Sequence, residues 1–196
     1  MTNLFAYKMV RDFGFAPNPF GGLCTLATCK PNVRRKAAPG DLVVACGSVK
    51  NGRSGRVICA MRVGGAMTFQ EYWDDPRFER KKASLGLSRQ RAFGDNIYHH
   101  ASDGSWIQED SHHSQVGGVL NLANLHQDTS ADRILWASEF TYWGREAPVL
   151  PAEFDGFGLA RVRDFRGDFE PEFVNRTNLW FDGLPRGRLG RPIDWT

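Results

Sequence analysis

No stretch of the chain approaches the roughly 18 consecutive apolar residues that a membrane span requires. The opening residues, MTNLFAYKMVRD, hold only a short apolar run with charges inside it, so neither a secretory leader nor an anchor is expected there. Zinc-finger spacing is missing as well: CTLATC separates Cys24 from Cys29 by four residues, and no second close pair follows. No glycine-rich loop of the P-loop or dinucleotide type is present, which excludes triphosphate chemistry of those classes. The chain also has no internal repeat and no low-complexity linker. Lys and Arg are absent between Ala92 and Asp132, a window that holds six acidic residues and all five histidines. These absences predict a soluble, cytoplasmic protein with no membrane partner. Its four cysteines, Cys24, Cys29, Cys46 and Cys59, are expected to be reduced and mostly buried, with a reactive Cys24 or Cys29 beside Lys30 as the alternative.

What is present fits one folded domain. At 196 residues, with 41% hydrophobic residues, 14 Phe and 6 Trp, the chain can bury a core, while 21 Gly and 10 Pro favour many turns over long helices. The net charge of +3 conceals an asymmetry: Lys30 to Arg62 carries eight basic residues and a single acid, Asp41. The run KPNVRRK, with Lys30, Arg34, Arg35 and Lys36, is suited to neutralising phosphates without reading sequence, which points to a nucleic acid or nucleotide; a solvated basic face is the other reading.

Along the chain, Leu4–Val10 reads as a first strand. FGFAPNPFGG is a shaped loop, whose Phe13, Phe15 and Phe20 either plug the core or line a pocket for a flat ligand. Pro39-Gly40-Asp41 turns into a strand over Leu42–Cys46, KNGRSG connects, and Arg56–Val63 returns, which makes a β-hairpin. Thr68 is the expected N-cap of a short helix, with Glu71 completing a capping box and Asp75-Pro76 ending it. Arg133–Trp143 reads as a strand pair or one bent strand. The tail 156–196 is rich in Arg, Gly and Phe without a clear period.

The order of strand, loop, basic segment, PGDLVVACGS, glycine turn, GRVICAMRV and FQEYWDDPRF resembles PUA-like modules, especially the EVE and ASCH branches. The blocks GFAPNPFGG, CTLATCKPNVRR, EYWDDPRF, FGDNIYH, WIQEDSHHS and EFTYWG resemble the recurring blocks of the nucleotide modification associated domain 2 family of bacteria and phages. The resemblance spans Phe5 to Pro151. It implies a single α+β domain with a PUA-like mixed β-barrel core and short flanking helices over 1–155; the tail 156–196 lies outside the resemblance and is expected, from its Arg, Gly and Phe content, to be an extension packed on the same domain. It also implies an association with DNA base hypermodification and phage–host conflict, and with other proteins of a modification or defence operon as partners.

The segment DNIYHHASDGSWIQEDSHHS, where four of the five histidines sit, has three readings. As a metal site, His99 with His112 or His113, and Asp95, Asp110 or Glu109 as oxygen donors, supply ligand types for a divalent ion. In an extended segment only one histidine of each HH pair faces a common centre, and His99, His112 and Asp110 are the favoured set. As a metal-free acid–base site, His99 and His112 are oriented by Asp95, with Tyr98 adding a hydroxyl. As a reader pocket of the PUA-like kind, Phe20, Trp73 and Trp106 stack on a base while Asn96 and Gln108 read its edge, and Lys30, Arg34, Arg35 and Lys36 hold the phosphates. Recognition of a modified nucleotide or DNA base leads, an enzyme of a base hypermodification pathway follows, and a nucleotide-sensing partner in a phage-defence operon comes third. A long surface loop whose side chains bond to backbone is the structural alternative to all three.

Overall fold

The structure, a computed structural model, describes residues 2–195. The chain is mixed α/β and divides into two compact units, each discontinuous in sequence. One gathers the chain up to Phe13, Ala37–Gly65 and everything from Ala137 onward; the other gathers Gly14–Lys36 and Ala66–Trp136. Among the described residues no helix is long and apolar enough to cross a membrane.

The first unit is built on a six-stranded sheet. In chain order its strands are β1 (Leu4–Lys8), β3 (Leu42–Cys46), β4 (Val57–Arg62), β9 (Glu139–Tyr142), β10 (Phe165–Arg166) and β11 (Gly187–Arg188); in space they run β10-β1-β3-β4-β9-β11. Strand β3, LVVAC, is buried along its whole length, as an uninterrupted apolar run requires of a central strand. It pairs in parallel with β1 and antiparallel with β4, the expected hairpin. The turn before it is held by the Asp41 carboxylate, which accepts from the backbone N–H of Asn3 at 2.6 Å and of Ala38 at 2.9 Å. Gly40 sits at φ 92°, a conformation costly for any residue with a Cβ. The tail supplies both outer strands, β10 against β1 and β11 against β9, and the helix α5 (Pro171–Asp182). The ends of the strand order are β10 and β11, so among the described residues the pairing is open and no closed barrel is present.

The second unit contains β2 (Cys24–Leu26), β5 (Gly65–Met67) and β8 (Ile134–Ala137) in the order β2-β8-β5, and the hairpin of β6 (Tyr98–His100) with β7 (Trp106–Gln108). Four short helices accompany them: α1 (Pro31–Lys36), α2 (Phe69–Asp74), α3 (Arg89–Ala92) and α4 (Leu122–Thr129). The capping box expected at α2 is formed. Thr68 Oγ1 accepts from Glu71 N–H, Glu71 Oε2 accepts from Thr68 N–H at 2.7 Å, and Asp75 closes the helix. The stretch Arg133–Trp143 is a strand pair, β8 and β9, whose members belong to different sheets with Ser138 at the bend between them.

A buried polar cluster pins the loop 14–23 of the second unit. Asp95, fully buried, accepts from Thr25 Oγ1 at 2.6 Å and from the Tyr72 hydroxyl at 2.9 Å. Burial raises its carboxyl above the usual range, against the lowering influence of the Lys81 charge. The Lys81 ammonium, also buried, donates to the carbonyls of Asn18 and Leu23, each at 2.7 Å. The carboxylate oxygens of Asp95 are thus spoken for by the protein's own core. Replacing Asp95 by Ala leaves the buried Thr25 hydroxyl without its acceptor, the Tyr72 hydroxyl with only Thr25 Oγ1 at 3.3 Å, and Lys81 without its counter-charge. Equilibrium urea unfolding is expected to show a loss of about 2–4 kcal/mol. A loss below about 1 kcal/mol would mean that water replaces the carboxylate.

Candidate active site

Directly after β2 the backbone passes through two left-handed residues in succession, Cys29 at φ 55° and Lys30 at φ 40°. Neither is glycine, so both are strained, and strain of this kind is held only where the surroundings over-determine it. Two contacts within the second unit do so. The Cys29 N–H donates to Asp128 Oδ1 at 2.7 Å, and the Cys29 carbonyl accepts from Arg34 Nε at 2.9 Å. Arg34 lies one turn into α1, and its buried guanidinium also donates to the carbonyls of Ala131, Arg133 and Asp128. Burial lowers its pKa to about 10, with the Asp128 charge opposing, so the group stays charged at neutral pH.

Into this frame the segment after β7 delivers His113. Its Nδ1 lies 2.7 Å from Asp128 Oδ2, and its Nε2 lies 3.9 Å from Cys29 Sγ. Asp128, on α4, is fully buried. It therefore spends one oxygen on the Cys29 backbone and the other on the imidazole and the Tyr98 hydroxyl, which donates to it at 3.0 Å. The backbone of His113 is held in turn: its carbonyl accepts from Gln108 Nε2 at 3.2 Å and from Asn124 Nδ2 at 2.8 Å. The Phe15 ring packs on the imidazole with centroids 4.6 Å apart. Burial alone would lower the His113 pKa, but the hydrogen bonds to Asp128 and Cys29, and the charges behind them, outweigh it and raise the pKa to about 9. The imidazole is thus protonated at neutral pH and presents its Nε2 side to sulfur, the setting in which a cysteine acts as a nucleophile. Burial also raises Tyr98, followed by the Asp128 charge, which keeps its phenol protonated.

The other residues singled out in the sequence are distributed as follows. Tyr98 and Gln108 stand at this site, as second neighbours of the sulfur through Asp128 and His113. His112, one residue away, is turned into an aromatic setting between Phe15 and Phe93, at 5.4 and 5.1 Å, and burial and the adjacent His113 lower it to about 4. His99 is elsewhere, paired with Glu109 at 2.8 Å and stacked on Trp73 at 3.9 Å. Asp110 accepts from the Ser114 hydroxyl. Among the described residues no group of three or more His, Cys, Asp or Glu side chains is arranged to hold a metal ion. His99, His112 and Asp110 therefore do not form the expected set. Of the two HH doublets only the second contributes to the Cys29 site, through His113, whose partners are Cys29 and Asp128.

The expected base-stacking surfaces are occupied. Trp73 carries His99 and the Lys82 ammonium, 4.2 Å from its ring. Trp106 packs against His100 at 3.9 Å, and Phe20 is buried in the core. Asn96 is buried, and its amide donates to the Tyr72 carbonyl. In the basic run, Arg34 is no part of a phosphate-binding rim, because four backbone carbonyls hold it inside. Arg35 and Lys36 are exposed and Lys30 is half-buried.

The sequence model of the nucleotide modification associated domain 2 family matches residues 1–196, the whole chain. The chain belongs to that family. The family assignment therefore includes the tail that supplies β10, α5 and β11. No curated protein and no solved structure matches it. The family description places this member in a nucleotide-modification context.

Proposed function

We propose that the protein is a thiol-dependent enzyme acting on a nucleotide or on a base within DNA, with Cys29 as nucleophile, His113 as proton carrier and Asp128 as the residue that orients and charges the imidazole. The observation that carries this reading is the continuous line from Cys29 Sγ through the His113 ring to the buried Asp128 carboxylate. The reaction class it suits is cleavage or transfer at a carbonyl carbon. The sulfur attacks an amide or ester carbon, Nε2–H delivers its proton to the departing nitrogen or oxygen, and the resulting thioester is released by water or an amine that returns its proton to Nε2. Tyr98 and Gln108 act as positioning residues behind Asp128 and His113.

Lys30, Arg35 and Lys36 follow Cys29 in sequence and are the phosphate contacts of this reading, which makes substrate binding salt-dependent. The reading retains a PUA-like (EVE/ASCH-type) ancestry for the strand order β1, β3, β4. It places the protein in the cytoplasm beside other proteins of a bacterial or phage DNA-modification or defence operon.

The test is intact-protein mass spectrometry after exposure to nucleosides, nucleotides and short duplexes whose bases carry amide- or ester-linked groups. The expected result is an acyl adduct on Cys29 and turnover of at least one substrate, both absent in Cys29→Ser. Turnover that persists in Cys29→Ser would remove the cysteine from the mechanism. Absence of any adduct, together with tight and salt-sensitive oligonucleotide binding, would instead favour recognition.

A further inference from the structure

The first unit holds a cavity of about 370 Å³ that the Cys29 chemistry does not use. Its size lies at the small end of the roughly 300–1,000 Å³ typical of small-molecule sites, enough for one nucleotide and too little for a dinucleotide. The wall combines an apolar face from Val49, Leu150 and Leu159 with a cation, Lys8, at the end of β1 and an anion, Asp155. Neither the Lys8 ammonium nor the Asp155 carboxylate has a hydrogen bond or ion pair with another described residue.

Two further observations concern its walls. Ser48, which lines it, is 8% exposed and heads the short turn Val49–Asn51, with its N–H donating to Asn51 Oδ1 at 2.9 Å and its hydroxyl buried. The second observation is backbone strain at the opposite wall. Asp155, Gly156, Phe157 and Gly158 are four successive left-handed residues, at φ 41°, 54°, 56° and 64°. Two of them bear side chains, so the turn is costly. Burial of Phe157 against Phe154, 5.6 Å between ring centroids, offsets part of that cost, and the turn sets Asp155 in the cavity wall.

We infer that this cavity binds a nucleoside monophosphate. Lys8 takes the phosphate, the apolar face covers the base, and Asp155 bonds to a sugar hydroxyl or the polar edge of the base. The inference is independent of the role proposed for Cys29.

Isothermal titration calorimetry with dAMP, dCMP, dGMP and TMP, each against its nucleoside and against inorganic phosphate, tests it on the full chain. At least one monophosphate is expected to bind about tenfold or more tightly than both its nucleoside and phosphate. Lys8→Gln is expected to erase that advantage, and Val49→Trp, at a position 85% exposed and so harmless to folding, to block binding by filling the cavity. Cys29→Ser leaves the affinity unchanged. The inference is overturned if no monophosphate binds below about 1 mM, if nucleoside and monophosphate bind alike, or if binding survives Val49→Trp. Binding lost in Cys29→Ser but kept in Lys8→Gln would overturn it too, by placing the nucleotide at the cysteine.

Discussion

Iodoacetamide at neutral pH is expected to alkylate Cys29 and to leave Cys24, Cys46 and Cys59 intact in the folded protein. The contrast has two causes. Cys24, Cys46 and Cys59 are buried at 0%, 5% and 2% exposure, and burial raises Cys46 to about 12, so its thiol neither ionises nor meets the reagent. Cys29 is partly accessible and lies 3.9 Å from an imidazole raised to about 9. His113→Gln removes the positive charge beside the sulfur and is expected to slow alkylation about tenfold or more at pH 7. Asp128→Asn is expected to do the same, since an amide neither charges the ring nor keeps its tautomer. The sign of the pH dependence follows from the direction of the His113 shift. The imidazolium persists from pH 6 to 8 and is lost as pH rises through about 9, so the advantage over His113→Gln is large in the neutral range and shrinks above it. Labelling of Cys29 at the rate of an ordinary exposed thiol, unchanged by His113→Gln, would reduce the constellation to packing.

The largest effect on stability is expected at Arg34. Four backbone carbonyls, those of Cys29, Asp128, Ala131 and Arg133, converge on one fully buried guanidinium. Arg34→Met fills similar space but strands these acceptors, and denaturant unfolding is expected to show a loss of about 3–5 kcal/mol. Arg34→Lys is expected to recover little. An ammonium offers three donors from one point, whereas the carbonyls are reached by Nε, Nη1 and Nη2 in different directions. A loss below about 1 kcal/mol in Arg34→Met would show that the loop around Cys29 is held by other means. Because Arg34 grips the Cys29 carbonyl directly, the methionine variant should also lose the selective alkylation of Cys29 before it unfolds.

The parts of the fold legible in the sequence were those set by short-range chemistry. Thr68 and Glu71 announce a capping box, LVVAC announces a buried strand, and KNGRSG announces the turn between β3 and β4. Arg34 was illegible for the opposite reason. In KPNVRRK it looks like its exposed neighbour Arg35, and only the tertiary position of four carbonyls, up to 99 residues away, makes it internal. The same holds for the candidate site. The HH rule limited each doublet to one inward histidine but could not choose His113 over His112, because the choice depends on Phe15 and Asp128. Cys29 was noticed as a possible reactive thiol through Lys30, but its partner His113 lies 84 residues on. Asp128 was read only as part of an acidic window, although it is the most heavily used carboxylate there.

The sheet of the first unit has a consequence for synthesis. Its strand β1 is made first, yet its outer neighbour β10 lies at Phe165–Arg166, and β9 acquires β11 only at Gly187–Arg188. A chain emerging from the ribosome therefore exposes the edge of β1 until β10 is made and the edge of β9 until β11 is made, and bare edges recruit other chains. A chain cut between β9 and β10 would present both edges open, and one cut between β10 and β11 the edge of β9 alone, so the segment 165–188 guards this sheet against aggregation.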